Sequence, residues 1–325
     1  MLPGALAGQF EPSEIEIQLA PLARRAGAEL CLDEVIGLDI AAQKLWFANG
    51  EPLRFDALSI GIGSMPAGWK QFDSAALIPI KPMQTLLERL DRRLIECGPA
   101  PRCVVVGGGV AGVELALCLR ARLSADWARR AASVALVSAA GELAGGMSSR
   151  SQRRLSHLLW QRGIEVVKNF CVSQVGPSAV EDEQGNCQPA DLAIWATGAA
   201  PPSLLARLGL PTDERGFLAT NTFLQSTAAS NIFAVGDTGT IESSPAPKAG
   251  VFAVRQAPVL WHNLQATLDS SRAMQEFIPQ RNFLKILNTG RGKALLEYRG
   301  WTFHAGWCWW FKRWIDKSFV RKYQF

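Results

Sequence analysis

The stretch CVVVGGGVAGVELAL, residues 103–117, decides the fold. Cys103-Val104-Val105-Val106 is an apolar β-run. It stops at Gly107-x-Gly109-x-x-Gly112, and a helix is expected from Val113 to about Leu123. A second apolar run, ASVALVS at 132–138, follows within about 30 residues, the spacing of a strand–loop–helix–strand dinucleotide fingerprint. Each glycine has a separate reason to be there. Gly107 lets the chain turn, Gly109 lets the backbone approach a pyrophosphate, and Gly112 lets the helix lie against the strand. The helix N-terminus then offers N–H groups and partial positive charge to the phosphates. A glycine-rich packing turn without a ligand is the plainer alternative. At the end of the second strand an acid would mark NAD and a nearby arginine NADP. That slot reads Val137-Ser138, with Glu142 beyond Ala-Ala-Gly and Arg150 further on. Ser138 is the candidate contact, and the choice of dinucleotide stays open.

Working outward, SRSQRRLSHLLWQRG (149–163) reads as a helix closed by Gly163, and IEVVKNFCVSQV as a strand pair. ADLAIWATGAAP (190–201) is an apolar strand ending in Gly198. This β-α-β-α-β-β order is that of a doubly wound unit. Upstream, PAPRC (99–103) is a linker, and residues 82–97 form a helix with Leu86, Leu87, Leu90 and Leu94 on one face. Residues 28–64 read as several strands, with a hairpin signal at Asn49-Gly50. The start, MLPGALAGQFEPSEIEIQL, has loop chemistry and then a short amphipathic segment. Downstream come GFLATNTFLQST, then NIFAVGD with Asp237 just past a strand, and a helix over 250–268. Two or three short strands are expected over 280–303, before an aromatic and basic tail.

The totals narrow the field. A chain of 325 residues suggests about two domains. Its 48% hydrophobic and 19% charged residues are globular values. The net charge of +5 sits largely in residues 301–325, where Lys312, Arg313, Lys317, Arg321 and Lys322 oppose only Asp316. Seven scattered cysteines argue against a secreted disulfide scaffold, and three distant histidines give no metal-ligand spacing. No apolar run reaches the roughly 18 residues of a membrane span, and no signal peptide opens the chain. A cytoplasmic location is expected. No nucleic-acid-binding pattern accompanies the basic residues.

Three features resemble the two-dinucleotide flavoprotein reductases, the pyridine nucleotide-disulfide oxidoreductase superfamily: VVVGGGVAGVELA leading to IWATG (194–198), a related strand end at SIGIGS (59–64), and NTFLQST followed by NIFAVGD. MLPGALAGQF, LNTGRGKAL and WCWWFKRWIDKSFVRK are similar to a type II NADH dehydrogenase-like branch, whose members stand alone or are fused ahead of selenophosphate synthetase. The resemblance implies an α/β chain of two Rossmann-like domains, an FAD domain interrupted by an NAD(P) domain, and a small C-terminal β/α extension. The segments would be 1–98 and 201–273 for FAD, 99–200 for NAD(P)H, and 274–325 for the extension. It also implies a first GxGxxG on an N-terminal βαβ unit. The present Met1 aligns after that unit, so a stretch of roughly 40–50 residues is expected to be missing, with unpaired strand edges and poor FAD binding as consequences.

By the same resemblance, Asp237, after the turn at Gly236, bonds the ribityl chain of FAD, with further cofactor contacts at Val35 and Gly63. Glu114 corresponds to an acid near the nicotinamide; a helix N-terminal acid that favours the dipole is the alternative. Gly250 and Val251 open a helix aimed at the flavin N1/O2 edge, and Lys248 adds positive charge there, a solvated lysine being the commoner reading. Cys171 and Cys308 invite comparison with sulfide:quinone reductases, although buried inert thiols are commoner. In the tail, Trp307, Trp310, Phe311, Trp314, Ile315 and Ser318 share a helical face, with Lys312, Arg313, Asp316 and Lys317 mostly opposite. That pattern fits a helix lying on an anionic membrane surface or one docking its aromatic face on its own domain. The function implied is hydride transfer from NAD(P)H to FAD and then to an acceptor, a quinone first. A sulfur- or selenium-linked reductase and a non-catalytic NAD(P)-binding remnant are the alternatives.

Overall fold

The computed structural model describes residues 1–280 and 282–324; Arg281, and Phe325 at the end of the tail, lie outside the described residues. The chain forms two compact units, one of residues 1–30, 68–198 and 282–325, the other of 31–67 and 199–281. These boundaries differ from the four segments expected from sequence: 1–30 and 68–98 pack with the glycine-loop region, as does the C-terminal extension.

The first unit is built on a five-stranded parallel sheet in the spatial order Leu77–Pro79, Leu192–Trp195, Arg102–Val106, Ser133–Ser138, Ile164–Lys168. Strands covered on both faces read as continuous apolar runs, and here both sets of side chains are buried. Cys103, Val105, Val134, Leu136, Leu192 and Ile194 pack with Leu90, Leu94, Leu119 and Leu155 of the helices Leu86–Glu96, Val110–Ala125 and Ser149–Gln161. Val104, Val106, Ala135, Val137, Ala193 and Trp195 pack on the other face. That second layer is not helical. A three-stranded antiparallel sheet, Val172–Val175, Ala179–Asp182 and Cys187–Pro189, supplies Val172, Val175 and Val180 to it. Residues 164–175 therefore divide between two sheets and do not pair with each other.

Residues 282–324 form a three-stranded antiparallel meander, Lys285–Asn288, Ala294–Tyr298 and Trp301–Ala305, followed by the helix Gly306–Arg321. The N-terminus is helical, not a loop: Leu2–Leu6 carries a proline in its first turn, where its missing N–H costs nothing. Ala5 and Phe10 join Ala294, Leu296, Cys308 and Trp309 in one small core.

The second unit holds a five-stranded mixed sheet in the order Gly239–Ile241, Leu218–Thr220, Gln225–Ser226, Ala229–Ala234, Leu58–Ile60. Leu58–Ile60 runs parallel to Ala229–Ala234 and ends the sheet among the described residues. A small meander, Val35–Asp39, Lys44–Phe47 and Leu53–Arg54, carries Asn49-Gly50 in its second connection. The helix Gly250–Leu268 follows the sheet in sequence.

Candidate functional site

The glycine loop sits at the carboxyl end of the central strand of the first unit. Gly107 adopts φ +125°, and a Cβ there would lie 2.4 Å from the carbonyl oxygen of Ala196. A Cβ on Gly112 would lie 1.8 Å from the Gly107 carbonyl oxygen, so strand and helix meet backbone to backbone. Gly109 is different. It is exposed, caps the helix Val110–Ala125, and has nothing within 4 Å of the Cβ position. Two glycines close the turn and the third leaves an open approach to a helix N-terminus, where the first N–H groups lack intrahelical partners. The donor set fits a dinucleotide pyrophosphate. Gly198, at the end of the neighbouring strand region, is exposed and open in the same way.

Ser138 ends the adjacent strand and is 3% exposed. Its hydroxyl donates to the Ala140 carbonyl (3.0 Å) and accepts from the Ala140 amide (3.2 Å), while a Cβ on Gly108 would fall 2.2 Å from its Oγ. The hydroxyl thus lies against the loop itself. Ala139, Ala140, Gly141 and Glu142 beyond it are exposed.

Glu114 projects from the first turns of the same helix toward the C-terminal meander. Its Oε1 accepts the Asn288 amide at 2.7 Å. Burial lifts its carboxyl above the ordinary range, against the opposing pull of Lys312 and of that amide. Asn288 is itself fully buried, and its side-chain amide donates to Gln9 Oε1 at 2.6 Å.

In the second unit, the ends of two parallel neighbours carry the polar groups. Gly236 turns the chain at φ +63°, and its N–H donates to Gln256 Oε1 at 2.6 Å. The next residue, Asp237, accepts from Ser64 Oγ at 2.7 Å. Thr238 Oγ1 accepts the Gly63 amide at 2.8 Å. Gly63 and Asp237 are therefore brought together, Gly63 through Thr238 and Asp237 through Ser64, while Gln256 of the long helix holds Gly236. All three partners are absent from the sequence expectations; the only signal for Ser64 and Thr238 was polarity near a strand-end glycine in GIGS and VGDT, and Gln256 carried none. Val35 lies elsewhere in this unit, half-buried at the start of the small meander and paired with Phe47.

Lys248 is not a solvated lysine. Its Nζ donates to the Gly239 carbonyl and to Thr240 Oγ1, both at 2.7 Å, and stands 4.0 Å from the centre of the Phe217 ring. Thr240 Oγ1 in turn donates to Asp213 Oδ2 at 2.7 Å. Burial lowers the Lys248 amine to about 8, against the attraction of Asp213 and Asp237. Two residues on, Gly250 opens the long helix with nothing within 4 Å of its Cβ position, and Val251 beside it is half-buried. Phe252 in the first turn of this helix, with Gly236, Thr240, Lys248 and Gln256, lines a small recess.

The C-terminal helix buries Cys308, Trp309 and Val320 and leaves Trp307, Trp310 and Trp314 exposed, at 52%, 67% and 56%. Of its aromatic face, Phe311 packs against the small core that holds Trp309, while the three tryptophans remain exposed. Lys312 turns to Asp316 and Lys317 to Glu14, while Arg313 is exposed beside the tryptophans. Phe303 of the meander approaches Trp307 (5.7 Å) and stacks with Trp301 (6.3 Å), extending the exposed aromatic surface. Among the described residues, no helix is long and apolar enough to cross a membrane. Cys308 is fully buried and Cys171 exposed.

These arrangements have relatives. Demethylphylloquinone reductase NdbB of Synechocystis sp. is 28% identical over 248 residues, covering 70% of this chain and 58% of that protein. Ferroptosis suppressor protein 1 of Xenopus laevis is 26% identical over 284 residues, covering 82% and 71%. The chain thus spans little more than half the length of the first of these relatives. The fold matches the sulfide:quinone oxidoreductase from Aquifex aeolicus with a TM-score of 0.80 at 20% identity, over 99% of this chain and 82% of that one. The profile of the pyridine nucleotide-disulphide oxidoreductases matches residues 6–263, which include both the glycine loop and the strand end at Asp237, and the chain belongs to that family.

Proposed function

We propose that the chain is a flavin-dependent NAD(P)H:acceptor oxidoreductase that delivers electrons to a quinone. The observation that carries this reading is the glycine loop, closed by Gly107 and Gly112 and open at Gly109, in a chain that belongs to a reductase family. Residues 68–198 hold NAD(P)H, with the pyrophosphate against the amides that follow Gly109. Residues 31–67 and 199–281 would hold FAD, with Asp237 the acid that would bond its ribityl hydroxyls. FAD, when bound, would supply the redox chemistry of hydride acceptance and electron transfer.

The protein's part is binding and electrostatics. Gly63, Ser64, Asp237 and Thr238 fix two strand ends against each other and so hold the Asp237 carboxylate in one orientation. The start of the helix Gly250–Leu268 and the Lys248 ammonium favour negative charge on a flavin seated there. Glu114, on the helix that follows the dinucleotide loop, is tied to Asn288 of the C-terminal meander. The quinone is supported by the names of the relatives, a demethylphylloquinone reductase among them.

The exposed tryptophans of residues 307–314, with Arg313, support a reading in which the protein lies on an anionic membrane surface, at the cytoplasmic face, where a lipid-soluble acceptor is available. The test is NADH oxidation by the FAD-loaded chain with a soluble quinone analogue as acceptor. Quinone-dependent oxidation of NADH is the expected result. Turnover with sulfide or selenium acceptors but none with quinones would overturn the acceptor assignment, and no NADH oxidation at all would overturn the enzyme reading.

A further inference from the structure

We propose that the dinucleotide site does not discriminate between NADH and NADPH, because Ser138 stands where a carboxylate would otherwise select the 2′-hydroxyl, and Lys168 stands beside it. This rests on the reading of the glycine loop as a dinucleotide site. A carboxylate at the end of the second strand accepts a hydrogen bond from a ribose 2′-hydroxyl and repels a 2′-phosphate. Here that position is a neutral hydroxyl turned onto the loop, against Gly108, and engaged with Ala140. The next three residues, Ala139, Ala140 and Gly141, are exposed and uncharged. The first charge beyond the strand end is the exposed Glu142, four positions on from Ser138.

The neighbouring strand adds a cation. Ser138 and Lys168 are in-register partners of a parallel pair, which places their backbones about 4.8 Å apart with side chains on the same face. The preceding residues confirm that face: Val134 and Leu136 share one core cluster with Ile164 and Val166, on the side of the glycine-loop helix. Lys168 is exposed at the carboxyl end of the sheet, the end at which open α/β sheets bind ligands. A 2′-phosphate therefore meets an ammonium within reach and no carboxylate on either strand end. A 2′-hydroxyl loses its charged acceptor but meets no obstacle. The preference for NADH that a carboxylate would impose is removed, and with one exposed lysine in place of an arginine cluster the two dinucleotides bind within about tenfold of each other.

The experiment is calorimetric titration of the full-length purified chain with NADH and with NADPH, using wild type, Ser138→Glu, Lys168→Ala and Ala139→Arg, the last at an exposed position that leaves the core untouched. In wild type the two dissociation constants are expected to lie within about tenfold of each other. Ser138→Glu weakens NADPH by at least about tenfold while NADH is unchanged or tighter. Lys168→Ala weakens NADPH alone, and Ala139→Arg tightens NADPH alone. A wild-type preference larger than tenfold in either direction overturns the inference, as does a set of variants that moves both dinucleotides equally. Binding of neither dinucleotide overturns the reading of the glycine loop itself, a different result from binding with strong preference.

Discussion

Gly109 and Gly112, three residues apart, respond to substitution in opposite ways. Gly112→Ala drives a methyl into the Gly107 carbonyl oxygen, 1.8 Å away. Both atoms belong to backbone, so the helix must move off the strand, and a loss of about 3 kcal/mol in chemical denaturation is expected. Lys248 makes a pH prediction. Its amine is held at about 8 in the folded chain, below the ordinary lysine range. The unfolded chain then binds more protons between pH 8 and the usual lysine value, and stability rises with pH through that window. Lys248→Met is expected to remove this contribution, read as a urea-midpoint difference between wild type and variant that shifts in favour of wild type from pH 8 to pH 10; a difference that stays constant would assign the contribution to another group. These glycine roles were legible in the sequence because a tight turn and a close approach are local demands. The partners of Asp237 and Gly63 were not, since Ser64 and Thr238 lie more than 170 positions from the groups they bond. Only the sheet register brings them together.

Among the elements, the C-terminal meander is tied to the glycine-loop unit by a buried acid. Glu297 is 7% exposed and accepts from the Ser148 amide (2.9 Å) and hydroxyl (2.7 Å) at the start of the helix Ser149–Gln161, and from Lys285 at 3.2 Å. Burial opposes its charge, but the donors Ser151, Ser148 and Lys285 together hold its carboxyl below the ordinary range. Its contribution is therefore present above the ordinary carboxylate range and is lost as pH falls through the depressed value. Glu297→Ala should cost about 2–3 kcal/mol at neutral pH, and a difference from wild type that did not shrink on acidification would contradict the assignment. The C-terminal helix makes a separate prediction. Trp310→Glu with Trp314→Glu removes two side chains that are mostly exposed. Stability is expected to change by no more than about 0.5 kcal/mol, while co-sedimentation with anionic vesicles falls at least about tenfold. Undiminished vesicle binding would remove the membrane reading. Periodicity revealed this helix and its tryptophans. It did not reveal that Lys312 and Lys317 face inward, because that depends on Asp316 and Glu14. The N-terminal helix was misread for a related reason: Pro3-Gly4 is turn chemistry in isolation, and only burial of Ala5 and Leu6 makes it helical.

For the whole molecule, the α/β class followed from the order of apolar runs around one glycine loop. The division into compact units did not, because residues 1–30 and 282–324 join the glycine-loop unit through contacts far apart in sequence, such as Asn288 with Glu114 and with Gln9. The antiparallel layer on the second face of the parallel sheet also escaped notice, its strands being only three or four residues long. Function at this scale rests on whether the loop at Gly109 delivers reducing equivalents to a flavin. The most direct measurement is anaerobic mixing of the FAD-loaded chain with NADH, following the flavin's visible absorbance, in wild type and in Gly109→Ala. The variant folds as wild type does, since nothing lies within 4 Å of the added methyl. Bleaching in wild type, slowed at least about tenfold in the variant at subsaturating NADH, is the predicted result. A flavin that stays oxidised in wild type, or one bleached equally fast in both proteins, would contradict it.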